Sequence, residues 1–234
     1  MKKIALNFKA LAFSFACVAL MATVSSCDPD DAPTPPVVTD PATVTDIDGN
    51  VYTTIRIRTQ LWTVENLRTT RYNDGSTIAT GLDNAAWEAT TTGAFSIYED
   101  AASNNTTYGK LYNWYAVNTG KLAPAGWHVP TREEWQTLTA YLGQDGGGKM
   151  KSTSSLWEAP NLGATNSSGF SALPSGRRGY TGGYLSINKS THFWAANERN
   201  AGQGNYLVLD NDLAGAAINA ANKPFGYAVR LVKD

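Results

Sequence analysis

From Asp46 onward, apolar residues come only in short runs, and nearly every run is bounded by Gly, Asn, Asp or Ser. Such punctuation confines the chain to strands of a few residues joined by turns, with helices only where a 3.6-residue spacing survives between breakers. Asp48-Gly49-Asn50 reads as a tight turn into a strand over residues 51–57. In it Val51, Thr53, Ile55 and Ile57 share one face, and Tyr52, Thr54 and Arg56 share the other. Residues 61–64 read as the returning strand and 95–98 as another. Further on, 205–209 and 213–218 flank the turn Asp210-Asn211-Asp212, and 227–232 forms a closing strand.

Two helices are expected. Leu111, Trp114, Tyr115 and Asn118 fall at helical spacing within residues 110–118. The second helix has stronger punctuation. Thr131 and Glu134 form a capping-box pattern, Trp135, Leu138 and Leu142 follow on one face, and Gly143 closes it. Pro130 opposes an earlier start, because the residue before a proline avoids the helical region. Residues 143–183 read as a long irregular stretch rich in Gly, Ser and Asn, pinned by Trp157, Phe170 and Leu173. Strands at both ends with few helices between them imply an α+β domain over residues 46–234 whose terminal strands pair.

The beginning of the chain has a different chemistry. Lys2, Lys3 and Lys9 precede an apolar core from Leu11 to Met21, and small residues Val24, Ser25 and Ser26 lead into Cys27. This is the order of a secretory signal over residues 1–26, too short to span a membrane as a helix. Val-Ser-Ser-Cys resembles the bacterial lipobox, which predicts diacylation of Cys27 and cleavage before it. Several acyl chains make a stable anchor where one does not. Residues 27–45, with Asp28, Asp30, Asp31 and a run of prolines, read as a polar tether. The acidic run resembles signals that send Bacteroidetes lipoproteins to the outer face of the outer membrane, and it also reads as solubilising charge.

Cysteine and charge usage bound the functions available. Cys17 leaves with the leader and the Cys27 sulfur takes lipid, so the exported domain is expected to stand without a disulfide. The formal net charge is −1, and loss of the three leader lysines makes it three charges more negative. Basic residues are scattered apart from the pair Arg177-Arg178, a poor footprint for nucleic acid.

Several segments together resemble the Fibrobacter major paralogous domain family. They begin with Asp46-Ile-Asp-Gly-Asn-Val-Tyr52 and Gln60-Leu-Trp-Thr-Val-Glu-Asn-Leu67. Tyr108-Gly-Lys-Leu-Tyr-Asn-Trp-Tyr-Ala-Val117 and Pro124-Ala-Gly-Trp-His-Val-Pro-Thr131 follow in order. The stretch from Gly163 to Pro174 and Tyr227-Ala-Val-Arg-Leu-Val-Lys-Asp234 complete the likeness. The family consists largely of exported proteins and lipoproteins of Bacteroidetes and Fibrobacter relatives. Val129-Pro-Thr-Arg-Glu-Glu-Trp135 and Tyr227-Ala-Val-Arg-Leu-Val232 also look like motifs of the formylglycine-generating enzyme family. That likeness implies a C-type-lectin-like fold with a twisted antiparallel sheet, two flanking helices and long loops. Family members often carry cysteines where this chain has Ser96 and Leu231, and their joint absence implies one lost bridge.

The chemistry of known relatives is only partly represented. Formylglycine generation needs active-site cysteines, and a lipidated Cys27 leaves the domain with none. His128 and His192 have no spacing partner, so no metal site and no cofactor is expected. His128 reads as a hydrogen-bonded structural residue. Glu158-Ala-Pro-Asn161 misses the calcium-chelating loop of sugar-binding lectins by one residue, and Asp210-Asn211-Asp212 reads as a turn rather than a calcium loop.

What remains is an aromatic and polar loop surface. Tyr180, Tyr184, Phe193 and Trp194, with Arg177 and Arg178, are the expected ligand-binding residues. The leading expectation is a membrane-anchored, surface-exposed lipoprotein that binds a glycan or protein partner without catalysis. The alternatives are a polysaccharide-acting hydrolase built on carboxylates such as Glu65, Glu99, Glu158 and Glu198, and a structural envelope or fibre component.

Overall fold

The computed structural model describes residues 40–234. The expected leader, Cys27 and the tether as far as residue 39 lie outside the described residues. The elements follow in chain order: β1 (Thr43–Thr45), β2 (Val51–Ile57), β3 (Gln60–Thr63), α1 (Asn84–Ala89), β4 (Phe95–Ser96), α2 (Ala102–Tyr108), β5 (Leu111–Tyr112), α3 (Trp114–Asn118) and β6 (Trp127–His128). Then come α4 (Arg132–Leu142), α5 (Gly146–Met150), β7 (Ser175–Arg178), β8 (Tyr184–Ile187), β9 (Ser190–Asn200), β10 (Gln203–Asp210), β11 (Ala217–Asn222) and β12 (Val232–Lys233). Among the described residues, no helix is long and apolar enough to cross a membrane.

The architecture is α+β. One antiparallel sheet has the order β1-β2-β3-β12-β6, and a second, β11-β10-β9-β7-β8, is antiparallel except where β7 meets β9. The pairing Val232↔Trp62 joins the two ends of the domain, as strands at both ends imply. Between the sheets, residues 226–228 bridge to Arg178, Tyr112 and Phe193, so the closing segment stitches both together. Each sheet contributes to an aromatic-rich core. Trp114, Trp127, Trp194 and Tyr227 belong to one cluster, and Trp62, Trp135, Phe170 and Phe193 to the other.

The capped helix forms as its punctuation dictates. Thr131 Oγ1 accepts from the Glu134 amide at 3.2 Å, and Glu134 accepts from the Thr131 amide at 2.7 Å. Trp135, Leu138 and Leu142 are its buried residues, and Gly143 ends it at φ +79°.

Other boundaries differ from the sequence reading. Thr43–Thr45 already pairs with β2, so the fold starts before residue 46. The helix expected over 110–118 begins only at Trp114. Leu111 and Tyr112 are strand, and the Asn113 side chain caps the helix by accepting from Ala116 N. In β2, Val51 is 51% exposed while Tyr52 is buried, its hydroxyl donating to Asp46 at 2.6 Å. Residues 213–218 do not form one strand, since β11 starts at Ala217. The expected long loop contains α5 and β7. Trp157 and Phe170 do pin its middle, and Leu173 is half-buried.

The packing of that stretch explains its glycines. A side chain on Gly147 would lie 2.1 Å from the Gly215 carbonyl oxygen, and one on Gly148 would lie 2.1 Å from that of Gly163. Backbone therefore packs on backbone. Buried Lys151 completes the arrangement by donating to the carbonyls of Leu162, Asp210 and Leu213 at 2.8–2.9 Å. An ammonium thus occupies a cage of carbonyls.

Ser96 and Leu231 occupy separate places. Ser96, in β4, is opposite Leu111 and beside the Tyr184 hydroxyl. Leu231 lies further along the chain, where its amide donates to Thr63.

Candidate functional site

The second sheet opens onto a groove of about 390 Å³. The parallel bridge Gly176↔Thr191 sets Arg177 of β7 level with His192 of β9. The pairings Val208↔His192 and Tyr206↔Trp194 bring β10 alongside, and Tyr206↔Asn219 adds β11. Because side chains alternate along a strand, His192, Trp194 and Tyr206 share one face while Phe193 and Leu207 share the other. Gln203, Asn222, Phe225 and Tyr227 complete the lining.

The groove is built from rings. Tyr227 stacks on His192 at 4.8 Å and on Phe225 at 5.5 Å, and it meets Tyr206 at 4.9 Å. Tyr180 extends the series outward, standing edge-on to Phe225 at 5.5 Å while 45% exposed. Polar groups stand among these rings, which is the usual composition of a site for a small organic ligand.

His192 is almost wholly buried. Burial first, and the Arg177 charge second, push its pKa down to about 3, so the ring is neutral at ordinary pH. Its Nε2 lies 3.4 Å from Arg177 Nη1 and accepts from it, which leaves the ring proton on Nδ1. Buried Nδ1 has no partner among the described residues. Burial also raises the phenols of Tyr206 and Tyr227, which remain hydroxyl donors.

The six residues expected to bind ligand separate in the structure. Arg177 lines the groove and Tyr180 reaches it through Phe225. Trp194 is fully buried beneath Tyr227 and Tyr206, and its indole donates to the Tyr112 carbonyl at 2.8 Å. Phe193 is fully buried on the opposite face, 5.8 Å from both Trp135 and Phe170. Arg178 is 2% exposed, stacked 4.2 Å over Trp87, with its donors spent on the carbonyls of Gly182 and Leu82. Tyr184 is half-buried and donates to Asp100 at 3.0 Å. Trp194, Phe193 and Arg178 are therefore packing residues, and Tyr184 lies on β8 outside the groove lining, distinctions of strand alternation and burial that the sequence does not display.

Groove residues missed in the sequence include Tyr206, Gln203, Asn222, Phe225 and Tyr227. Tyr206 carried a signal, since the alternation within 205–209 sets it opposite to Asn205, Leu207 and Leu209. The others come together only through the return of β11 and the closing segment.

The candidate carboxylates are not gathered. Glu65 lines a separate cavity of about 180 Å³ with Arg68 and Arg230, and its carboxylate accepts from Thr53. Glu158 faces Lys189 at 3.6 Å, Glu198 faces Lys223 at 2.7 Å, and Glu99 is exposed in a turn at φ +52°. His128 sits between Asp234 at 2.5 Å and Glu134 at 2.9 Å, an arrangement that ties α4 to β6. Among the described residues, no three His, Cys, Asp or Glu side chains cluster as a metal site.

A family model described as the Fibrobacter succinogenes major domain matches residues 55–233. No curated protein matches the chain, and no solved structure does.

Proposed function

The chain belongs to the Fibrobacter succinogenes major domain family, and from that membership we propose that it is a lipid-anchored outer-membrane protein whose domain binds a glycan. The acyl chains are carried by Cys27, the tether lifts the domain from the membrane, and the domain faces the cell surface. The domain is C-type-lectin-like, a reading supported by its mixed sheets, few helices and the irregular run between α5 and β7. It binds without catalysis.

One observation carries the glycan reading. The 390 Å³ groove combines the rings of Tyr206, Phe225 and Tyr227 with the amides of Gln203 and Asn222. Sugar rings have apolar faces that stack on aromatics and hydroxyl edges that pair with amides, so both halves of the lining have a use. The full chain in non-ionic detergent, applied to a broad glycan array with and without chelator, tests it. Binding that survives chelation and is lost in Tyr206→Ala supports the groove. A silent array with folded protein sinks the glycan reading and turns attention to a protein partner. Palmitate labelling that is absent, or unchanged in Cys27→Ser, sinks the anchor.

A further inference from the structure

The groove holds a cation that the fold does not neutralise. Arg177 lines it, and among the described residues no carboxylate comes within salt-bridge distance of its guanidinium. Its side-chain hydrogen bond among those residues is the 3.4 Å contact with His192. A guanidinium has five donors, so most of its capacity is unused. Neighbouring Arg178 shows the alternative, with two of its donors bound to loop carbonyls of the fold and its face covered by Trp87.

The surroundings keep that cation available. Neutral His192 offers a lone pair and adds no competing charge. Asp210 on β10 is close enough to feel Arg177 but not to pair with it, and its carboxyl is itself raised by burial and by Asp212. The other titratable groups around Arg177 are the hydroxyls of Tyr98, Tyr206 and Tyr227. A planar guanidinium of this kind matches a carboxylate or sulfate with two parallel hydrogen bonds.

We propose that the groove selects anionic glycans, with Arg177 pairing the carboxylate or sulfate of a sugar whose ring rests on Tyr206 and Phe225. This rests on the glycan reading above and names the ligand class of the same groove. Arg177 is the specificity determinant. The aromatic rings and the amides of Gln203 and Asn222 supply contacts that do not depend on ligand charge.

The test titrates the full chain in detergent with three oligosaccharides of equal length: a uronic acid chain, a sulfated neutral chain and an uncharged one. An acidic ligand is expected to bind at least about tenfold tighter than the uncharged one, with affinity falling as salt rises. Preference between uronate and sulfate identifies the anion. Arg177→Gln is expected to bring the acidic ligand to the level of the uncharged one, and Arg177→Lys to restore part of the difference. Thermal unfolding of both variants should match the parent, and the parent's own ratio of affinities stands whatever the variants do. Equal affinity of the parent for all three ligands, or a preference that survives Arg177→Gln in a folded protein, overturns the inference and leaves glycan binding intact. Absence of binding to all three overturns both.

Discussion

His128 Nδ1 lies 2.5 Å from a carboxylate oxygen of Asp234, while Nε2 of the same ring lies 2.9 Å from Glu134. Partial burial opposes a charge on this ring, but the hydrogen bonds and charges of Asp234 and Glu134 outweigh it and raise its pKa. The protonated ring thus joins β6, the cap of α4 and the end of the closing strand. Its stabilising contribution is full below the ordinary histidine value of 6.5 and is lost as pH rises through the raised value. With the ring 36% exposed, solvent screening limits the effect to about 1 kcal/mol or less. Urea midpoints should fall across that window in the parent and stay level in His128→Gln. Parallel curves for the two proteins would refute the tie.

His192 has the opposite sign. Its folded pKa is pushed down to about 3, so the unfolded chain takes up a proton near 6.5 that the folded chain refuses. Stability therefore falls as pH drops from 6.5 toward 3, by about 1.4 kcal/mol per unit at most from this group. Carboxylates titrate in the same range, so the informative quantity is the difference between parent and His192→Asn. Unfolding curves from pH 7 to 4 should be less steep in pH for the variant. An equal slope would mean that the imidazole is protonated in the folded groove.

The backbone contact beneath α5 makes a sharp prediction. Gly148→Ala places a methyl group against the Gly163 carbonyl, a backbone atom that cannot swing aside. A loss of about 3 kcal/mol is expected, at the upper end for overpacking. Lys151→Met removes the buried ammonium that binds three carbonyls and should cost a similar amount. Denaturant unfolding measures both, and a change below about 0.5 kcal/mol in either would contradict the packing.

How much of this was legible in the sequence varies with the range of the forces involved. The α4 cap was readable because Thr131, Glu134 and Gly143 settle it among themselves. The β2–β3 hairpin and most of β10 were readable from runs between turn residues. In contrast, β9 is the longest strand and went unseen, since residues 190–195 are buried on both faces and show no alternation. Gly146–Met150 looked like a loop because three consecutive glycines disfavour a helix, and only the carbonyls of Gly163, Ala214 and Gly215 make the absence of side chains at Gly147 and Gly148 necessary.

The candidate site divides along the same line. Arg177 and Tyr180 were found by their chemistry, while Phe193, Trp194 and Arg178 have the same chemistry and are spent inside the fold, and Tyr184 stands half-buried outside the groove. By itself the sequence determined the α+β class, the capped helix and the family, all of which depend on neighbouring residues or on ordered motifs. Tertiary structure alone decided which rings reach a ligand. Arg177, His192, Tyr206 and Tyr227 meet only after β7, β9, β10 and the closing segment have paired, and burial is a property of what packs above a side chain, not of the side chain itself.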